Sequence, residues 1–289
     1  MHYYADGENP YALIAKELEP GKVGFDKNWA SKHTISVLQE RDDLIPVIGS
    51  DCVDWCKARK DEKERELLRQ AAHVNDMAVE FAINHIDPAL DEKQLSDMIE
   101  EFFEEHGAVQ DMQLQYVCYG KNAAEPHHGA VAGETLKEGD AVLFDLWAPI
   151  NNYWCDMTRT VFYKSVTEEH RKVYEIVKKA QQAAIDFVKP GVKMSDIDAV
   201  ARKVISDAGY GDKFLTRTGH GVGMTVHEPP EASASCDLIA EPGMCFSIEP
   251  GIYLKDDVGV RIEDLVIVTE DGCEVLTKYP KDLQIVGND

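Results

Sequence analysis

Four acidic residues sit where a chain of this kind should least tolerate them. Asp145 lies in the run AVLFDLW, Asp156 in YWCDMTRTVFY, Glu249 in GMCFSIEPGIYL and Glu263 in GVRIEDLVIVT. Each run is apolar enough to read as a strand of a buried sheet. A carboxylate carried into such a strand is costly unless it is paired or coordinated. For one acid taken singly, a buried salt bridge or a cap is the simpler account. For four acids together with a histidine in the glycine-flanked run Gly219-His220-Gly221, divalent metal is the economical one. Four carboxylates and one imidazole make a mainly oxygen ligand set, sufficient for two ions if one or two carboxylates bridge them. Manganese comes first among the candidates, with cobalt, iron(II) and zinc as alternatives. No thiolate cluster suggests a structural zinc site: Cys52 and Cys56 have no partner pair.

The acids also fall into a repeat. From residue 58 to 86 the apolar positions Leu67, Leu68, Ala71, Val74, Ala78, Phe81 and Ala82 recur at helical spacing, and a second helix runs through DEKQLSDMIEEFFEEHG to Gly107. Then LQYVCYG, AVLFDLW and YWCDMTRTVFY read as strands, the last two joined by a loop around Pro149 to Asn152. Helical pattern returns from Thr167, stops at Pro190-Gly191, resumes at the cap-like Ser195 and ends near Gly209. The last third is again strands. Helices followed by strands therefore occur twice. The first half carries His128, then Asp145 and Asp156; the second carries His227, then Glu249 and Glu263. Two such halves facing one another bring the four acids together.

Bulk properties narrow the function. At 289 residues the chain can hold one large domain and a small appendage. The net charge of −23 argues against a nucleic-acid partner, which needs clustered Lys and Arg. No apolar run is long enough to cross a bilayer, and no N-terminal segment has signal character. Seven scattered cysteines, an odd count, read as reduced thiols, so a cytoplasmic setting is expected.

The segments PHHG, FDLWAPINNYWCDMTRTV, GHGVGMTVHEPP, EPGMCFSIEPGIYL and GVRIEDLVIVTEDG resemble the Xaa-Pro aminopeptidase and prolidase branch of the methionine aminopeptidase–creatinase superfamily, peptidase M24. The five motifs keep the family's order from about residue 55 onward. The resemblance implies an α+β pita-bread fold of two pseudo-symmetric halves over residues 57–289, preceded by a shortened α/β segment over residues 1–56. It implies that Asp145 chelates one metal, that His220 and Glu249 hold the other, and that Asp156 and Glu263 bridge both. It further implies a dinuclear metal-dependent exopeptidase: a metal-bridging hydroxide attacks the N-terminal peptide bond of a short peptide, Glu249 shuttles the proton and His227 helps stabilise the oxyanion. His128 is expected to contact substrate near the scissile bond, and His127 reads as its neighbour. Arg261 is expected to buttress a ligand carboxylate.

The sequence departs from the pattern at two places. Many proline-specific members have a histidine four residues before the metal histidine, where this chain has Thr216. Some dipeptide-restricted members carry an arginine just after the HE-x-P motif, where this chain has Glu231, which favours longer peptides. Relatives of this branch have a larger N-terminal domain. All five ligands lie beyond it, so the short front should leave metal binding intact while altering peptide access or the pairing of a homodimer. An Xaa-Pro aminopeptidase is thus the leading expectation and prolidase the runner-up. The alternatives are a peptidase without proline preference, a metal-free C–N hydrolase, which the intact ligand set disfavours, and a non-catalytic peptide-binding protein on the same fold.

Overall fold

The computed structural model describes residues 3–109 and 115–287, which form two compact units, Met1–Cys56 and Lys57–Asp289. In the first, helices α1 (Pro10–Glu17), α2 (Ser31–Leu38) and α3 (Ser50–Ala58) alternate with strands β1 (Gly21–Phe25) and β2 (Leu44–Ile48). The two strands pair in parallel, and Ala15, Val37 and Leu44 make a small core. Only one short helix is legible in this stretch, yet it holds three. The apolar positions are too few to show a period, while α1 starts at Pro10 behind an Asn9 cap that accepts from Tyr11 N at 3.0 Å.

The second unit opens with α4 (Glu62–Asn84) and α5 (Glu92–Glu105). Capping boxes, Asp61 with Glu64 and Asp91 with Gln94, set both starts, so α4 begins later than residue 58. Gly107 has φ +95°, the left-handed residue expected after α5. Both helices cover a sheet made of β3 (Tyr116–Tyr119), β4 (Ala141–Ile150) and β5 (Tyr153–Tyr163). Ala71, Val79, Leu95, Ile99 and Phe103 pack there against Val117, Phe144, Leu146 and Val161. Leu114, the first residue of the expected strand LQYVCYG, lies outside the described residues.

The second half repeats the plan with α6 (Glu168–Phe187) and α7 (Met194–Asp207) before a sheet of β6 (Gly219–Gly221), β7 (Glu228–Ala232), β8 (Cys245–Ile248), β11 (Asp264–Val268) and β12 (Cys273–Val275), in the order β12-β11-β8-β6-β7. A hairpin of β9 (Gly251–Leu254) and β10 (Val258–Arg261) separates β8 from β11, and β13 (Ile285–Val286) returns to pair in parallel with β5. The twofold succession of helices and strands is therefore present in the chain.

Three local expectations are corrected. Pro149 is inside β4, opposite Trp154, and the connection shrinks to Asn151-Asn152, both left-handed at φ 52° and 66°. That pair of positive φ values belongs to the tight turn that matches strand twist, so no longer loop is needed. Ser195 is not the cap of α7, which starts one residue earlier. The N–H groups of Met194 and Ser195 donate instead to the carbonyls of Leu238 and Cys236, which removes the need for a side-chain cap. Finally, the runs containing Glu249 and Glu263 are each two strands, broken at those acids.

The turn gives a direct check. Asn152→Val places a β-branched side chain at φ 66° and is expected to lower stability by about 1–2 kcal/mol, while Asn152→Gly should not lower it. Thermal unfolding of the two variants measures this, and equal stability of the Val and Gly forms would contradict the turn.

Candidate metal centre

Register places the first pair of acids. On β4 and β5, Asp145 lies opposite Thr158 and Trp147 opposite Asp156, so all four side chains leave the same face of the sheet. Tyr116 on β3 lies opposite Asp145 and shares that face. The second pair arrives differently. Glu249 and Glu263 sit at strand breaks, where the chain is held by Glu249 N donating to Thr218 O at 2.7 Å and Glu263 N donating to Thr158 O at 3.1 Å. The second bond ties Glu263 to the strand that carries Asp156.

His220 reaches the same point from β6. A Cβ on Gly219 would lie 1.9 Å from the Ser247 carbonyl oxygen, and one on Gly221 2.2 Å from that of Glu228. The two glycines therefore let β6 press between β8 and β7, which is the close approach their presence requires. Asp156, His220 and Glu263 offer ligand atoms that all lie within 4.8 Å of one another.

What converges here is acceptors. His220 Nδ1 faces the Gly221 carbonyl at 3.2 Å, the geometry of an N–H donor. In that tautomer Nε2 carries a lone pair, and it lies 3.4 Å from Asp156 Oδ2 and 3.3 Å from Glu249 Oε1. Glu263 Oε2 accepts from Thr158 Oγ1 at 2.7 Å, whereas its buried Oε1 has no hydrogen-bond partner among the described residues. Burial pushes the Asp156 carboxyl well above the usual range, and Glu263, Asp145 and Glu249 push it further. Burial does the same to Glu263, reinforced by Glu249 and Asp145, and raises Glu249 as well. Burial also lowers His220 to about 4, so the ring is neutral near pH 7. Such a convergence of acceptors is relieved either by protons when no ion is bound, as the raised carboxyls indicate, or by a cation, and a divalent ion fits this donor set.

Arg261 holds the edge of the cluster. Its Nη2 lies 2.5 Å from Asp145 Oδ2, its Nε donates to Thr158 Oγ1 at 3.0 Å, and its Nη1 to Tyr253 OH at 2.8 Å and Pro126 O at 3.1 Å. It buttresses the Asp145 carboxylate. Behind it Arg159, 2% exposed, donates to the Glu263 carbonyl at 2.5 Å and pairs with Asp264 at 2.7 Å.

The acids and His220 line a cavity of about 640 Å³ together with Tyr116, Trp147, Arg217, His227 and His127. The His227 ring stands edge-on to His220 at 4.1 Å, and burial, then His220 and Arg217, lower it to about 4. Of the two adjacent histidines, His127 is among the residues that line the cavity, and His128, the one expected to contact substrate, is not. His128 Nε2 lies 3.8 Å from the buried carboxylate of Glu92, and its Nδ1 3.4 Å from Glu125. Adjacent histidines in PHHG carry no signal that says which one turns inward. Tyr116, Trp147 and Arg217 were not singled out in the sequence; the period-two spacing of Trp147 from Asp145 was the available sign for one of them.

The chain is similar to known proteins in sequence and in fold. The model of metallopeptidase family M24 matches residues 66–270. A putative dipeptidase, YkvY, of Bacillus subtilis is 39% identical over 98% of this chain and 79% of its own length. An Xaa-Pro dipeptidase of Lactobacillus delbrueckii subsp. lactis is 38% identical over the same shares. The crystal structure of a recombinant prolidase from Thermococcus sibiricus superposes with a TM-score of 0.91 at 35% identity, covering 98% of this chain and 78% of that one. With its two-halved pita-bread fold and its cluster of buried carboxylates around His220, the chain belongs to metallopeptidase family M24 and is a metallopeptidase.

Proposed function

We propose that the chain is a two-metal exopeptidase that cleaves the bond preceding proline in short peptides, with Xaa-Pro dipeptides as its preferred substrates. The observation that carries this reading is the meeting of four carboxylates and the His220 lone pair on the wall of a cavity, with His220 Nε2 3.4 Å from Asp156 and 3.3 Å from Glu249. Asp145, Asp156, His220, Glu249 and Glu263 would hold the ions, and Asp156 and Glu263 would be shared between them. Two divalent ions held there supply Lewis acidity and a water acidic enough to attack a carbonyl near neutral pH.

The chain's own groups do the rest. Glu249, whose carboxyl is already raised and whose Oε1 accepts from Ser247 Oγ at 3.1 Å, takes the proton of the attacking water and returns it to the leaving nitrogen. His227, neutral at pH 7, donates an N–H to the developing oxyanion. His127, rather than His128, meets the substrate from the opposite half. Tyr116 and Trp147, edge to face at 4.7 Å, offer an apolar corner for a pyrrolidine ring. Arg217 supplies a cation on the same cavity, with Glu231 3.8 Å from its Nη1 and its Nε lacking a hydrogen-bond partner among the described residues. A peptide's terminal carboxylate suits it, and with the dipeptidase names of the relatives this supports dipeptides over the longer peptides that Glu231 suggests.

The substrate reading is tested by stripping metal, restoring manganese or cobalt, and offering Xaa-Pro, Xaa-Pro-Yaa and Met-Ala-Yaa peptides. Xaa-Pro should be cut fastest; no cleavage under any metal, or a preference for Met-Ala-Yaa, would contradict it. His127→Ala should lower kcat/KM by about 10²-fold and His128→Ala by less than about tenfold.

The raised and lowered pKa values fix a pH dependence. Because the Asp156 and Glu263 carboxyls are raised, their contribution to metal-free stability is present below about pH 4 and is lost as pH rises through their folded values. His220 and His227, lowered to about 4, contribute stability above 6.5 that is lost as pH falls toward 4. Metal needs every ligand deprotonated, so it binds more tightly as pH rises. The gain in Tm from a fixed manganese concentration should widen between pH 5 and pH 8, and a flat or shrinking gain would count against the ligand set.

A further inference from the structure

We infer that Glu92 is a positioning residue that fixes the loop presenting His127 to the cavity. The inference rests on the reading that His127 contacts substrate. Residues 125–133 contain almost no ladder pairing, so the hydrogen bonds that hold this loop must come from elsewhere. One carboxylate holds both the chain leading into the loop and the loop itself. Glu92, the first residue of α5 and 0% exposed, accepts from Tyr119 N at 2.6 Å and Asn122 Nδ2 at 3.0 Å through Oε1, and from Val131 N at 3.1 Å through Oε2. These three donors lie on both sides of His127. The neighbouring Asp91 adds Gly133 N at 2.8 Å.

His128 completes the arrangement. Its Nε2 lies 3.8 Å from Glu92 Oε2, is buried, and has no hydrogen-bond partner among the described residues. With His128 held against Glu92, the adjacent His127 is the one on the cavity wall. A buried carboxylate with no Lys or Arg paired to it among the described residues is expensive, and satisfying donors at the end of β3, at Asn122 and in the loop at once offsets that cost. Arg261 grips the loop from its other side through Pro126 O at 3.1 Å, so the loop is clamped between α5 and the ligand-buttressing guanidinium.

Glutamine is nearly isosteric with Glu92 but has only one acceptor oxygen. Its amide would face either Val131 N or the Tyr119–Asn122 pair, donor against donor, and one side of the loop would open. The test is a double-mutant cycle of Glu92→Gln and His127→Ala on manganese-loaded protein, read as kcat/KM on an Xaa-Pro dipeptide with metal content measured alongside. Glu92→Gln should cost about 10- to 100-fold in the parent and less than about twofold in the His127→Ala background, with metal content unchanged. Asn122→Ala, which removes one of the donors to Glu92 and leaves Glu92 in place, should show the same non-additivity and serves if the Gln variant does not fold. Losses that multiply, or a Glu92→Gln enzyme as active as the parent, overturn the positioning role alone. A neutral His127→Ala overturns the proposed contact and the inference with it.

Discussion

Everything around the cavity depends on the electrostatics of Asp156 and Glu263, two acids that are 5% and 1% exposed and face one another. Withdrawing each ionised carboxylate from water costs several kcal/mol, and like charges at this range add to it. The surrounding protein relieves only part of that. Thr158 gives one hydrogen bond to Glu263, and Arg261 spends its charge on Asp145 at the edge of the cluster. No cation of the protein stands at its centre among the described residues. The fold is thus built to hold a site that a divalent ion completes, and buried pairs such as Arg159 with Asp264 serve to fix geometry more than to add stability.

The same logic recurs behind each cavity residue. Asp198 on α7 accepts from Thr218 Oγ1 at 2.8 Å and pairs with Arg202, which donates to the Phe214 and Thr216 carbonyls, anchoring the segment that leads into His220. Lys60 and Glu228 form a buried pair at 2.8 Å, and Glu228 accepts from Thr225 Oγ1 at 3.2 Å, bracing the turn that carries His227. Glu92 does the equivalent work for residues 125–133 and the chain that leads into them. Irregular backbone carries His127 and His227, and there buried polar groups supply the rigidity that the ladder of β6 gives His220.

How much of this was legible in the sequence varies with the kind of signal. Asp145 and Asp156 stood out because continuous strands surround a charge with apolar neighbours, and the register of β4 and β5 then follows from a two-residue turn. Glu249 and Glu263 stood out for the same reason although both sit at strand breaks, since hydrophobic pattern cannot separate two short strands from one long strand. The inward histidine of PHHG was not legible. It depends on Glu92, 35 positions before His127, and no local period reports a contact of that range. Arg217 carries no signal of its own in the sequence, because a lone arginine before a glycine-flanked histidine has the pattern of a solvated charge and only the cavity distinguishes it. The start of α7 was misplaced because its N–H donors are satisfied by carbonyls at residues 236 and 238, far along the chain.

The central claim is that Asp156 and Glu263 together create a place for two ions. It is tested most directly by measuring metal per chain by elemental analysis, in the parent and in Glu263→Gln, after saturation with manganese and removal of excess. The account predicts about two ions per chain in the parent and one or fewer in the variant, because loss of a carboxylate shared by both ions removes the charge that holds the second. A parent that retains no metal, or a variant that retains the parent's full complement, would contradict it.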